Sequence, residues 1–424
     1  MKKLEALNIL IILKRKFIEN LIPQDMTNYD GISFTRESPL GIKRLVTLIQ
    51  KCSPKSLQIK LDDFFKEIGH KEEVVSKQAF SKARTKLDPS VLRQSFDITT
   101  EVLSSCEDLE LYNNKYRLCA IDGSVLTLDN NVELLAFFGG SGKQSDCVSA
   151  TASLCYDPLN DTILDGGLHP YSHSERDAAI QHFDYVEKLP LPTGVQNLYL
   201  FDRGYGSKEL MAMMIDNQQN FLIRVRDKFN LAVDEATNGD RVSFTNGDKA
   251  YEIRVFKIKL SSGETEILVT NLSAEDINAK KIGYLYFKRW KVETKFNSLK
   301  NKLELENWSG RRVITTFQDF WAKLDLANTM AALRFATDAE IETNSKGKTN
   351  KYAQTTNENR LINKFSQEYI NILASNDLEH QLTLFDELVK DIAKRPIEVK
   401  PNHSFERKKP RKKKFSDRCP SVLA

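Results

Sequence analysis

Through residues 4–21 apolar side chains recur every three to four positions, the spacing of a helix with one buried face. Shorter stretches with the same period continue to about residue 110. Ser76 stands where an N-cap would open a helix over Lys77-Gln78-Ala79-Phe80-Ser81-Lys82-Ala83-Arg84, and a second helix is predicted after Asp88-Pro89. The first is basic on one side, which suits a solvated amphipathic pair and a DNA-contacting pair equally well.

From about residue 115 the period becomes strand-like. Residues 116–121 end at Asp122-Gly123-Ser124 and lead into 125–128, with further strands predicted over 148–156 and 162–168. A helix from Ser174 to about Lys188 precedes a strand over 197–201, which ends at Asp202-Arg203-Gly204. Two strands therefore each bring an Asp to a strand end, where a sheet presents side chains to a ligand crevice.

Residues 221–272 read as β throughout: strands over 221–226, 241–244 and 251–258, the turn pair Asn246-Gly247, and a turn at 261–263 into 266–270. Helical spacing returns at 273 and runs to about 340, and a polar linker (343–358) leads to another helical pair and a basic tail. The expected organisation is a helical N-terminal region (1–110), the first part of an α/β core (111–220), an all-β insertion (221–272), a helical return to the core (273–340) and a helical C-terminal region (341–424).

Composition changes little in this picture. An apolar fraction of 41% and a charged fraction of 28% over 424 residues describe a globular protein of several domains. The six cysteines show no CxxC pair and read as buried or incidental thiols in a reducing compartment, not as a disulfide framework or zinc knuckle. The apolar run at residues 9–13 is too short for a secretory signal and is followed at once by Lys14, Arg15 and Lys16; a cytoplasmic protein with no membrane span is expected. Charge matters more: residues 407–418 carry eight Lys/Arg against Asp417, more than the whole excess of +4, so the rest of the chain is net negative. A nucleic-acid surface on the folded part must then be a local patch, and the tail reads either as a DNA-clamping arm or as a solubilising tail.

The candidate chemistry lies after residue 280. On a helical wheel at about 100° per residue, Tyr286, Arg289, Trp290, Glu293 and Lys300 fall in one stripe about 100° wide. An acid, two cations, a phenol and an indole on one face suit a phosphate backbone, a base and a metal together, although a solvated face with ion pairs is the commoner origin of such a stripe. With Asp122 and Asp202 added, the three carboxylates make the ligand set that a pair of Mg²⁺ ions needs.

These residues resemble a known family. Tyr286-x2-Arg289-x3-Glu293-x6-Lys300 is similar to the Tyr-Arg-Glu-Lys motif of bacterial insertion-sequence DDE transposases, of the insertion-sequence family numbered four. Asp122-Gly123-Ser124 resembles that family's first-Asp motif, and Phe201-Asp202-Arg203-Gly204-Tyr205 resembles its second. The resemblance runs from about residue 70 to about 335 and places a β insertion in the same gap.

It implies an α/β fold with a ribonuclease-H-like catalytic core interrupted by the all-β insertion, and cut-and-paste transposition through DNA hairpin ends. Two Mg²⁺ ions (Mn²⁺ substituting) would lie about 3.5–4 Å apart between Asp122, Asp202 and Glu293. Arg289 and Lys300 would grip phosphates, Tyr286 would add a hydroxyl contact to the same backbone, and Trp290 would stack on an unpaired base. Double-stranded DNA is the implied partner, as terminal inverted repeats and target, with two copies of the chain pairing two ends in a bacterial, nucleoid-associated setting. Residues 1–110 would help to recognise the ends. A domesticated, non-cleaving DNA-binding protein and a ribonuclease-H-like nuclease without strand transfer are the competing readings.

Other leads carry less. Gly139-Gly140-Ser141-Gly142-Lys143 has Phe137 where a phosphate loop needs Gly and Gln144 where it needs Ser or Thr. His169 and His173 have zinc-ligand spacing but enclose Pro170, so loop positions are expected. Glu175 and Asp177 read as charges at a helix N-terminus, and Trp308 and Trp321 as core residues.

Overall fold

The helical period of the N-terminal region folds as α1 (Lys3–Glu19), α2 (Ile42–Ile49), α3 (Leu57–Glu67), α4 (Lys77–Arg84) and α5 (Ser90–Ser104) in a computed structural model of the chain. The structure describes residues 1–22, 38–51, 56–70, 72, 75–141, 147–260, 263–347, 349, 351–375 and 377–400. The basic tail, part of the 139–143 loop and part of the 261–263 turn lie outside the described residues.

Beyond α5 come β1 (Tyr116–Thr127), α6 (Val132–Phe138), β2 (Gly140–Ser141), β3 (Cys147–Asp157), β4 (Thr162–Pro170), α7 (Glu175–Val186), β5 (Gln196–Phe201), α8 (Lys208–Asp216) and β6 (Asn220–Val225). These are followed by α9 (Leu231–Glu235), β7 (Arg241–Asn246), β8 (Lys249–Lys259), β9 (Thr265–Thr270), α10 (Ile282–Phe287), α11 (Trp290–Asn301) and α12 (Val313–Ser345). The described chain closes with β10 (Gln354–Thr355), α13 (Glu358–Ala374), α14 (Leu378–Ala393) and β11 (Ile397–Glu398).

Two compact units result. Unit 1 holds Met1–Cys106, Leu126–Ala150 and Leu299–Ala424; unit 2 holds Glu107–Val125 and Thr151–Ser298. In unit 1, α12 is the spine, packed by α1, α5 and α14. Two buried ionic networks fix the N-terminal helices to it. Lys14 Nζ lies 2.5 Å from Asp325 Oδ1, and that carboxylate also accepts from Ser95, Thr99 and Gln50. Arg84 pairs with Asp319 at 2.8 Å and donates to Gln318 and Ser309. Arg84 was expected on an amphipathic basic helix; Ser76 does cap that helix by accepting from Ala79 N, but Arg84 is 1% exposed and serves packing, while Lys77 and Lys82 stay exposed. Trp308 and Trp321 are half-buried in this unit. Cys106, Cys119 and Cys155 are buried free thiols, as the sequence suggests, whereas Cys147 is disulfide-bonded and departs from that reading.

Unit 2 is built on one sheet, with β4 beside β3 and the order β3-β1-β5-β6-β9-β8-β7. β1 and β5 pair in parallel from Tyr116↔Gln196 to Ala120↔Leu200, and β5 and β6 pair in parallel from Leu198↔Asn220 to Phe201↔Ile223. β1 is buried on both faces through Ile121, which is why it reads as a continuous apolar run and not as an alternation. The expected break at Asp122-Gly123-Ser124 is absent: β1 continues to Thr127, although its ladder with β5 ends at Ala120.

The β residues between the second Asp and the Glu extend this sheet. β9 pairs antiparallel with β6, β8 with β9 and β7 with β8. Their inward side chains Ile253, Val255, Ile267 and Val269 share one buried core with Cys119, Ile121, Tyr199 and Phe201. The insertion is thus continuous with the sheet, because β6 is at once a parallel partner of β5 and the edge on which the hairpins grow. Asn246 pairs with Lys249, so the tight turn falls on Gly247, at φ +59°, and Asp248, one residue later than expected.

Candidate active site

The register of β1 and β5 sets the first two acids side by side. Each Asp comes two residues beyond the last paired residues, Ala120 and Leu200, at the same end of adjacent parallel strands. Both side chains are half-buried and anchored locally: Gly123 N donates to Asp122 Oδ1 at 3.0 Å, and Gly204 N donates to Asp202 Oδ1 at 2.7 Å.

Burial raises the Asp122 carboxyl to about 7; Arg289 pulls it down, while Asp202 and then Glu293 push it up. Asp122, Asp202, Glu293 and Arg289 therefore act on one another electrostatically. Arg289 joins two of the acids directly. Its Nη2 donates to Glu293 Oε1 at 2.6 Å, and its Nη1 lies 3.6 Å from Asp122 Oδ2. The guanidinium is 5% exposed, and its Nε and Nη1 have no hydrogen-bond partner. Burial works against the Arg289 charge, but Tyr286, Glu293 and Asp122 favour it more, and the net shift is upward.

Arg289 owes this position to a break in the helix. The spacing predicted one helix through Tyr286 and Lys300, yet α10 ends at Phe287 and α11 begins at Trp290. Between them the bonds are of the tighter i→i−3 kind: Arg289 N to Tyr286 O, Lys291 N to Lys288 O and Val292 N to Arg289 O. The 100° wheel fails across that turn. Arg289 is carried inward while Trp290 emerges 38% exposed.

The other predicted residues divide. Tyr286 is 3% exposed, and burial lifts its phenol to about 12, with Arg289 lowering and Asp202 raising it. Its ring lies 5.9 Å from the Arg289 guanidinium carbon, and the Trp290 ring lies 5.5 Å from it. Lys300 stands half-buried on the last turn of α11, in the stretch that belongs to unit 1.

Two further residues stand near the acids, Tyr205 of the second-Asp motif and Glu175, which the sequence places only at a helix start. Glu175, on the first turn of α7, places Oε1 3.3 Å from where a Cβ on Gly123 would stand and Oε2 3.8 Å from the same point on Gly204. Tyr205 is 1% exposed with an unpartnered hydroxyl; burial raises its pKa first, and Asp122, Glu175 and Asp202 raise it further. The sequence signal for Glu175 was the capped helix start after β4, which by itself reads as helix capping.

His169 closes β4 instead of lying in a loop, and its ring stacks on His173 at 4.4 Å. Burial, then His173, lowers His169 to about 4. His182, buried on α7, bridges Asp165 and Ser153, each at 2.8 Å.

Among the described residues no three His, Cys, Asp or Glu side chains converge tightly enough to hold an ion. Arg289 is the positive charge between Asp122 and Glu293 in this arrangement. The donor chemistry still fits a hard divalent cation: Asp122, Asp202 and Glu293 all offer carboxylate oxygens, and Arg289 and Tyr205 beside them carry buried polar atoms that lack a hydrogen-bond partner.

Asp122, Asp202 and Glu293 thus lie within electrostatic reach of one another in one α/β unit, two of them carried by adjacent parallel strands and one by a helix. Residues 113–328 match the transposase DDE domain family, and the chain belongs to it. The protein is a DDE transposase, an enzyme that acts on DNA. No curated protein matches. Among solved structures, the piggyBac transposase synaptic complex with hairpin DNA is similar at 11% identity and a TM-score of 0.44, over 94% of this chain and 84% of that one. No helix among the described residues is long and apolar enough to cross a membrane.

Proposed function

We propose that this transposase is of the bacterial insertion-sequence kind with the Tyr-Arg-Glu-Lys motif, that Asp122, Asp202 and Glu293 hold its divalent ions, and that it cuts element ends through hairpins before joining them to target DNA. The observation that carries this reading is the shared register of Asp122 and Asp202 on adjacent parallel strands, with Glu293 tied to Asp122 through Arg289. That sheet also supports a ribonuclease-H-like core. Two bound Mg²⁺ ions, or Mn²⁺, would supply nucleophile activation and leaving-group stabilisation for in-line displacement at phosphorus.

The chain's own residues do the rest. Arg289 has two buried nitrogens, Nε and Nη1, with no hydrogen-bond acceptor, and would offer them to a phosphate oxygen once DNA is seated. Tyr286, buried against Arg289, positions that guanidinium, a role its burial suits better than direct contact with the backbone. Lys300 supplies a second phosphate contact. Trp290, with its exposed ring, receives a base expelled from the hairpin. Pairing of two ends by two copies, and end recognition by residues 1–110, rest on the family resemblance alone.

The test is incubation of the purified chain with Mg²⁺ and DNA that carries the inverted repeats flanking its gene. Hairpin-ended fragments on a denaturing gel are expected. Nicked products without hairpins or joined strands would favour the nuclease reading, and end binding without cutting under any divalent ion would favour the domesticated one.

A further inference from the structure

Glu175 opens α7 behind the N-cap Ser174, whose hydroxyl accepts from Asp177 N. A charge at a helix N-terminus needs no further role. Asp177, on the same turn and exposed like Glu175, shows what that ordinary role looks like, its backbone N–H donating to the Ser174 hydroxyl. Glu175 differs. Its carboxylate lies across the two glycines that follow the strand-borne acids, with Oε1 3.3 Å from the Cβ position of Gly123 and Oε2 3.8 Å from that of Gly204. The same point on Gly204 is only 3.0 Å from Asp202 Oδ1. Both positions lack a side chain in the space where Glu175 and Asp202 approach the backbone.

A second observation points the same way. Tyr205, 1% exposed, carries a hydroxyl with no hydrogen-bond partner, and Asp122, Glu175 and Asp202 all act on it. Arg289, 5% exposed, adds Nε and Nη1, neither with a hydrogen-bond acceptor, and Nη1 lies 3.6 Å from Asp122 Oδ2. Buried donors left unmatched beside carboxylates are costly, and such groups commonly orient water or ligands around an ion.

We propose that Glu175 is a fourth carboxylate of the ion-binding cleft, a positioning residue that acts beside Asp202 through the Gly123–Gly204 gap to hold a hydrated divalent cation. This rests on the carboxylate reading of Asp122, Asp202 and Glu293. Like a second layer of ligands elsewhere, it should set ion affinity more than chain stability.

The experiment is titration of the full chain with Mn²⁺ alone, without DNA, followed by calorimetry and by the electron spin resonance of free Mn²⁺. The variants are Glu175→Gln, Glu175→Asp, Asp177→Asn and Asp202→Asn, with thermal melting as a check on folding. Glu175→Gln should weaken Mn²⁺ binding by about tenfold. Glu175→Asp should recover part of it, and Asp177→Asn should bind as the unmodified chain does. Gly123→Ala, whose new methyl meets Glu175 Oε1, should weaken binding in the same direction and is informative even where Glu175→Gln folds poorly. If Glu175→Gln and Gly123→Ala bind Mn²⁺ normally while Asp202→Asn does not, the role of Glu175 is overturned and the carboxylate reading stands. If Asp202→Asn also binds normally, both fall.

Discussion

Arg289 donates through Nη2 to Glu293 Oε1 at 2.6 Å, so the helix-borne acid is held by a cation that also reaches Asp122. Without that cation, Asp122, Asp202 and Glu293 repel one another. Arg289→Ala should therefore destabilise the ion-free chain by about 1–3 kcal/mol, the usual worth of a charged hydrogen bond left without its partner. It should also enlarge the rise in melting temperature produced by Mn²⁺, because the ion then relieves more repulsion. Melting curves with and without Mn²⁺ check both; a smaller Mn²⁺ effect in the variant would contradict the arrangement.

Asp122 makes the site sensitive to pH. Its folded carboxyl is raised to about 7 from 3.8, chiefly by burial, so between those values the ion-free folded chain keeps a proton that the unfolded chain has lost. Its contribution to ion-free stability therefore declines as pH rises through that window and is level above about 7. Ion binding needs the carboxylate, so Mn²⁺ affinity should climb over the same window and then flatten. Calorimetry at several pH values measures this, and Asp122→Asn should remove the dependence.

Lys14 and Asp325 are 3% and 1% exposed, and burial lowers the Lys14 pKa while Asp325 opposes that shift. Asp325→Ala strands a buried ammonium and should cost about 3–5 kcal/mol, whereas replacing both, Lys14→Met with Asp325→Leu, should cost much less. Denaturant unfolding of the two variants distinguishes an uncompensated charge from lost packing; equal losses would contradict the pairing.

Trp290 is 38% exposed beside the more exposed Tyr284 and Phe287. Trp290→Ala should leave stability within about 0.5 kcal/mol, as surface substitutions do. It should weaken binding to a hairpin-ended duplex by roughly 1–3 kcal/mol, the worth of one stacked base. Affinities for hairpin-ended and blunt duplexes show whether the loss is confined to the hairpin.

Strands, capped helix starts and the two strand-borne Asp were legible because each depends on near neighbours in the chain. Ser76 and Ser174 cap as expected, and β5 ends where Phe201 meets Asp202. Three features depend on distant partners and were not legible. Arg84 looks like a surface cation until Asp319 arrives from more than two hundred residues away. The strands after β6 look like a separate domain because nothing local shows that β9 adds to β6. Glu175 looks like a helix charge because its approach to Gly123 and Gly204 is set by how α7 returns across the sheet. The tight turn at Arg289 belongs to a fourth kind: it is local, but a fixed 100° rotation cannot represent it.

The most direct test is cutting of end DNA in Mg²⁺ by Asp122→Asn, Asp202→Asn and Glu293→Gln, with DNA binding measured in parallel. Each single variant should lose more than about a thousandfold in cutting, double variants should lose little more, since the acids act as one unit, and binding should persist. Cutting at the unmodified rate by any one of the three would contradict the assignment of Asp122, Asp202 and Glu293 as the catalytic triad.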